Sequence, residues 1–199
     1  MPAHPGARRT ARLRLEPVGP EHAEDLWRLH RDKAVAAWWG RQWTIQDAHR
    51  FATAMAEAWA ADGVGKWIAH DRRTGELVGR GGLSRLPATA PVTGQIASAL
   101  GDDDWPRDRL ELGWTVRSEL WGQGYATEIG RAGLALAFDD LGAGKVVAFT
   151  ERHNRRSRAV MERLGMRLVG QILAPGLVEG QAGVHDDAPF ALYSTVPGG

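Results

Sequence analysis

The segment from Leu110 to Phe138, LELGWTVRSELWGQGYATEIGRAGLALAF, constrains the fold more than any other part of the chain. Its first seven residues alternate. Leu110, Leu112, Trp114 and Val116 share one face and Glu111, Gly113 and Thr115 the other, the pattern of a strand with one buried side. Two glycines one residue apart follow, and then an apolar helical pattern over 124–140. A chain that leaves a strand, turns through glycine and opens a helix presents unpaired N–H groups at the positive end of the helix dipole, which suits phosphate. The eight residues WGQGYATE alone allow either an anion site or a tight bend. A dinucleotide fingerprint needs glycine at 127, where Thr127 stands, and the chain contains no GxxxxGK[ST].

The remaining pattern is that of one domain. Residues 1–9 read as a disordered tail and 10–199 as a single folded unit with no repeat and no linker. ARLRLEPV (11–18) alternates as a first strand, and Gly19-Pro20-Glu21 opens a helix that fades near Gly40. Thr44 is an N-cap for a second helix, with Ala48, Phe51, Ala52, Met55, Ala58 and Trp59 on one buried face. Lys66 to Leu83 reads as a hairpin around DRRTG. Residues 84–109, rich in Pro, Gly and Asp, are expected to be a long loop. KVVAFT (145–150) is a short buried strand and Asn154–Leu164 a helix, and MRLVGQI and FALYSTV close the sheet.

Composition narrows the chemistry. The chain has no cysteine, which excludes disulfides, thiolate metal sites and a cysteine nucleophile. Its seven histidines show neither HxH nor HExxH spacing, so no metal is expected. A net charge of +1 gives no global pull toward nucleic acid or a membrane surface. The basic start MPAHPGARRTAR is not followed by an apolar signal region, and the longest apolar stretch, Ala132–Phe138, is too short to span a bilayer. A cytoplasmic protein is expected.

The strand pair LELGWTV and KVVAFT, each followed by a helix, resembles the acyl-CoA-binding core of the GNAT superfamily of N-acetyltransferases. That superfamily carries [QR]xxGx[GA] at the glycine turn. The matching residues are Trp121, Gly122, Gln123, Gly124, Tyr125 and Ala126, with Trp121 in place of Gln or Arg. WGxGYAtE is similar to the variant of the ribosomal-protein N-terminal (Rim-type) branch, as are TARLRL, W-I-A with GELVG, ELGW and NRRS…ERLGM. The resemblance covers roughly residues 10 to 196. It implies an α/β (α+β) fold: a central, mostly antiparallel twisted sheet, helices on both faces, and a V-shaped splay between two parallel strands. It further implies transfer of an acetyl group from acetyl-CoA to a primary amine by direct attack in a ternary complex.

The residue roles follow from the resemblance. Glu111 corresponds, within a one-residue loop difference, to the glutamate that many members use as base, against an ordinary polar residue on a half-exposed strand; a carboxylate there can take the acceptor's ammonium proton, directly or through water. The backbone of Trp114, Thr115 and Val116 is expected to hold the pantetheine arm, with an N–H near Val116 polarising the thioester carbonyl. Gly122 to Thr127 would cradle the pyrophosphate. Asn154 is either a plain N-cap or a contact to the cofactor arm as well. Many members place a tyrosine acid seven positions later, where this chain has Met161; Ser157 is the nearest hydroxyl, to protonate the thiolate or merely orient the sulfur. Among Arg152, Arg155, Arg156 and Arg158, Arg156 is the candidate for a coenzyme A phosphate, against a solvated basic face.

Trp38, Trp39 and Trp43 are either acceptor-pocket residues or core packing, and Asp102, Asp103 and Asp104 either attract a cationic acceptor or are simply solvated. A peptide N-terminus, an aminoglycoside-like amine or a polyamine fits as acceptor, to a monomer or homodimer. Two rivals remain: a non-catalytic acyl-CoA-binding module and a nucleotide-binding α/β protein.

Overall fold

The computed structural model describes residues 5–101 and 105–198. Arg8–Arg9 form β1 and Leu13–Pro17 β2; after a 3-10 turn come α1 (Ala23–Arg31) and α2 (Lys33–Ala36). Helix α3 (Ile45–Asp62) leads into β3 (Lys66–Asp71) and β4 (Leu77–Arg85). Then follow α4 (Pro91–Leu100), α5 (Trp105–Asp108), β5 (Leu110–Val116), α6 (Tyr125–Ala135), β6 (Val146–Glu151), α7 (Arg155–Arg163), β7 (Arg167–Leu177) and β8 (Val184–Thr195). The eight strands form one sheet in the order β1-β2-β3-β4-β5-β6-β8-β7. Every neighbouring pair is antiparallel except β5 and β6. The parallel pair shares one register position, Glu111 opposite Val147, so the two strands part beyond it.

Alternation on β5 places Leu110, Leu112 and Val116 in the core beneath α6 and α7, with Ile129, Ala148 and Met161. The opposite face is covered twice. Helices α1 and α3 bury Leu26, Ala48 and Ala52 against Val18 and Ile68. Ile96 of α4 packs with Val147, Ile172 and Leu192. Helix α3 begins as its sequence dictates: Thr44 Oγ1 accepts from the Asp47 amide at 3.1 Å, and Asp47 Oδ2 accepts from the Thr44 amide at 3.0 Å. The helix expected over 124–140 is α6 continued by a π-helical turn, Leu136–Asp140.

Two expectations are corrected. Residues 5–9 do not belong to a disordered tail: β1 pairs with β2, and the carbonyl of Gly6 accepts the indole N–H of fully buried Trp67 at 2.7 Å. A buried indole needs such an acceptor, and that need holds the segment down. Residues 1–4 lie outside the described residues, as does the acidic triplet Asp102–Asp104. The 84–109 region is not an irregular loop, because it contains α4. Pro91 stands in the first helical turn and Gly101 closes the helix at φ 59°. Thr93 and Ile96 are buried, and the Gln95 amide exchanges two hydrogen bonds with the backbone of Leu173, at 2.8 and 2.9 Å. Gly94 within the segment hides this helix from a propensity reading. Among the described residues no helix is long and apolar enough to cross a membrane.

Candidate active site

Where β5 and β6 separate, a cavity of about 1030 Å³ opens between them and extends to Val35 of α2 and the tryptophans that follow it. Hydrogen-bond direction alternates along an antiparallel strand. The Arg117 amide donates to the Val78 carbonyl on the β4 side at 2.9 Å, so Thr115 and Gly113 also face β4. Trp114 and Val116 therefore turn their amides toward the splay, where β6 has left. The Val116 carbonyl, on that same side, accepts the Trp121 indole N–H at 2.8 Å. Of the three residues expected to hold an extended cofactor arm, Trp114 and Val116 offer backbone, while Thr115 reaches the cavity only by its side chain.

The glycine turn lies at the wide end of the splay. Gly122 and Gly124 have φ of 77° and 82°, values that disfavour side chains. A Cβ at 122 would meet nothing within 4 Å, and one at 124 only an Arg12 nitrogen at 3.5 Å. This open cradle beneath the N-terminus of α6 fits a pyrophosphate. Gly122, Gly124, Tyr125, Ala126 and Thr127 line the cavity. The Gln123 side chain turns away and donates to the Glu119 carbonyl, so only its backbone remains near the turn. Glu128 ties the turn to β2, accepting from Arg12 Nε at 2.7 Å and from the Arg12 amide at 2.8 Å. Arg12 also donates to the Gln123 carbonyl at 3.0 Å. Neither this clamp nor the Trp121 staple emerged from sequence; the Glu of WGQGYATE was its one local signal.

Glu111 lines the cavity on the face opposite α6. Its Oε2 accepts from Lys66 Nζ at 2.9 Å, and Nζ also donates to the Gly82 carbonyl at 2.8 Å. The pair lies flat across the sheet because Gly113 leaves room: a Cβ there would stand 2.8 Å from Glu111 Oε1 and 3.2 Å from Nζ. Burial holds the Lys66 ammonium below its ordinary range, and the Glu111 charge opposes that shift. Arg80, one strand over, is buried and pushed down to about 10 by desolvation, with Glu111 again opposing. Its Nε donates to Nε2 of His30 at 3.0 Å, and burial with the Arg80 charge pushes that imidazole down to about 2.

On the other wall, Asn154 Oδ1 accepts from the Ser157 amide at 3.2 Å, an N-cap bond, and both residues line the cavity. Arg156 also lines it and stacks over the Trp121 ring, its guanidinium carbon 4.9 Å from the centroid. Arg158 is used elsewhere, donating to the Tyr193 hydroxyl at 3.1 Å. Met161 is 2% exposed and belongs to the core. A carboxylate not singled out from sequence stands here too. Glu151, buried at the end of β6, has the Thr150 hydroxyl at 3.3 Å, and burial raises its carboxyl above the ordinary range.

Trp38 and Trp39 roof the cavity, and Trp38 stacks on His153 at 5.3 Å. Trp43 does not line it. It is core, stacked on His30 at 3.7 Å and on Phe51 at 4.2 Å, so its assignment to acceptor binding is corrected.

Residues 12–167 match the family model described as an acetyltransferase (GNAT) domain. The chain is 33% identical over 181 residues to the FsC-acetyl coenzyme A-N(2)-transacetylase of Aspergillus fumigatus, covering 86% of this chain and 72% of that one. A structure assigned to the GNAT acetyltransferases of Bordetella pertussis superposes with a TM-score of 0.72 at 26% identity, over 96% of this chain and 99% of that one. The fold is also shared with aminoglycoside acetyltransferase AAC(6')-Ib in complex with coenzyme A, at a TM-score of 0.67 and 19% identity, over 93% and 95% of the two chains.

Proposed function

The chain belongs to the GNAT acetyltransferase family, and from that premise we propose that it moves the acetyl group of acetyl-CoA to a primary amine by direct attack in a ternary complex. One observation carries the reading: β5 and β6 share a single register position and then part, so that two backbone amides and a glycine turn converge on one cavity. The acetyl donor supplies an activated thioester, and the chain's own residues do the rest. The amides of Trp114 and Val116 are free to bind the pantetheine arm, with Val116 donating to the thioester carbonyl. The backbone from Gly122 to Thr127 is assigned to the pyrophosphate. Asn154 and Ser157 are assigned to orient the reacting end, the Ser157 hydroxyl to the departing thiolate, and Arg156 to a cofactor phosphate.

Glu111 is assigned to accept the ammonium proton of the acceptor. The Lys66 ammonium, 2.9 Å from Glu111 Oε2, fixes the direction of that side chain at the cavity wall. Trp38 and Trp39 are assigned to the acceptor's body. Within the family, WGQGYATE and ERLGM support a place beside the Rim-type branch. A peptide or small-molecule amine is preferred to nucleic acid or a membrane surface because the net charge is only +1. We assign a cytoplasmic monomer or homodimer.

Release of free thiol from acetyl-CoA, measured over a panel of N-terminal peptides, aminoglycosides and polyamines, tests the reading. Acetyl-CoA binding without turnover on any amine would leave a non-catalytic acyl-CoA module. A thermal shift with NAD or ATP and none with acetyl-CoA would refute the donor. Glu111→Gln is expected to lower turnover most at low pH, where least of the amine is already neutral; unchanged turnover across pH removes Glu111 from the proton transfer.

A further inference from the structure

The acceptor side of the cavity holds a charge that acetyl transfer does not use. Arg80 is 5% exposed and lines the cavity beside Trp39. Among the described residues its side chain's one hydrogen bond goes to Nε2 of His30, an imidazole that burial keeps neutral. No carboxylate of the described residues forms an ion pair with it; Glu111, whose charge it feels, is committed to Lys66. Its guanidinium carbon sits 5.2 Å from the Trp39 centroid and 6.0 Å from that of Trp43, so two aromatic rings flank it, and the Lys66 ammonium adds a second buried positive charge nearby. Desolvating a guanidinium without an anion is costly, and arginine does not escape by losing its proton.

Register places this charge beside the stretch of β5 assigned to the thioester. Arg80 pairs with Thr115 on β5, on the sheet face that also carries Glu111. Glu151 stands four residues beyond Val147 on β6, as Thr115 stands four beyond Glu111 on β5. Arg80 and Glu151 therefore stand at one level of the sheet, on either side of the splay, and neither forms an ion pair with another of the described residues. A polyamine would bring further positive charge to Arg80. An amine that carries its own carboxylate would supply the missing anion.

We infer that Arg80 binds a carboxylate of the acceptor, so that the acceptor is an amino-acid-type amine. The guanidinium's Nη groups give a planar fork that matches two carboxylate oxygens. This deepens the acetyltransferase reading and rests on it.

The test is calorimetric titration of L-phenylalanine and of phenethylamine, the same body without the carboxylate, into protein saturated with coenzyme A. Wild type is expected to bind L-phenylalanine at least about tenfold more tightly. Arg80→Met should remove that ratio while leaving the affinities for phenethylamine and coenzyme A unchanged, which also shows that the variant is folded. Arg80→Lys, with the charge but not the fork, should restore only part of the ratio. No carboxylate preference in wild type overturns the inference, as does a preference that survives Arg80→Met. Coenzyme A affinity lost in both variants, with their folding intact by circular dichroism, would assign Arg80 to the cofactor and overturn it too. Wild type that takes no coenzyme A would sink the acetyltransferase reading instead.

Discussion

Replacing Lys66 by Met strands the Glu111 carboxylate in the cavity wall. In the native structure the two side chains are 10% and 14% exposed and meet at 2.9 Å, with the Gly82 carbonyl as the second acceptor for the ammonium. Breaking a buried pair by removing one partner costs ~3–5 kcal/mol, because the remaining charge loses its compensation. Some solvent reaches both groups and the Arg80 charge still acts on Glu111, so the lower end applies, about 3 kcal/mol. With a urea slope of ~2 kcal/mol/M this moves the unfolding midpoint down by roughly 1.5 M. Lys66→Met with Glu111→Gln removes both charges and should recover most of that loss, since neutral replacement of a buried pair is often without cost. Urea unfolding at pH 7, followed by tryptophan fluorescence, measures all the variants. If the single substitution costs under about 1 kcal/mol, or the double variant is as unstable as the single, the pair does not act as a buried charge couple and the placement of Glu111 beside Lys66 is wrong.

Glu151→Gln should stabilise the protein at pH 8 and leave stability near wild type at pH 4. Burial raises the folded-state value of this carboxyl above its unfolded one, so its ionisation opposes folding. Stability contributed by the protonated group is lost as pH rises from the ordinary glutamate range through the raised value, and the glutamine variant escapes that loss; urea midpoints that differ equally at both pH values contradict it. Gly124→Asp should weaken coenzyme A binding at least about 100-fold by calorimetry, because a carboxylate ~4 Å from a phosphate at an effective dielectric near 20 costs about 4 kcal/mol. Retained affinity would place the pyrophosphate elsewhere.

Local pattern determined much of this protein. The alternation of LELGWTV, the glycines of WGQGYATE, the Thr44–Asp47 cap and the hairpin around DRRTG each depend on neighbours two to four residues apart, and sequence displays those spacings directly. Family likeness then supplied the splay between the strands and the candidate roles of Glu111, Asn154 and the turn. What only tertiary structure decided lies across the sheet. Lys66 and Glu111 are 45 residues apart and meet because register aligns β3, β4 and β5, whereas His30 and Arg80 are 50 apart and meet because α1 packs on β4. Gly113, a weak position in a strand by propensity, is the gap through which Lys66 reaches Glu111.

Trp43 is taken into the core, behind Trp39, only when His30 and Phe51 stack on it, and the tail at residues 5–9 is fixed only when Trp67 needs an acceptor. The unpaired charges of Arg80 and Glu151 belong to the same class. A sequence shows that a residue carries charge, but whether a partner stands within 4 Å depends on the lateral order of strands, which no short window of residues contains.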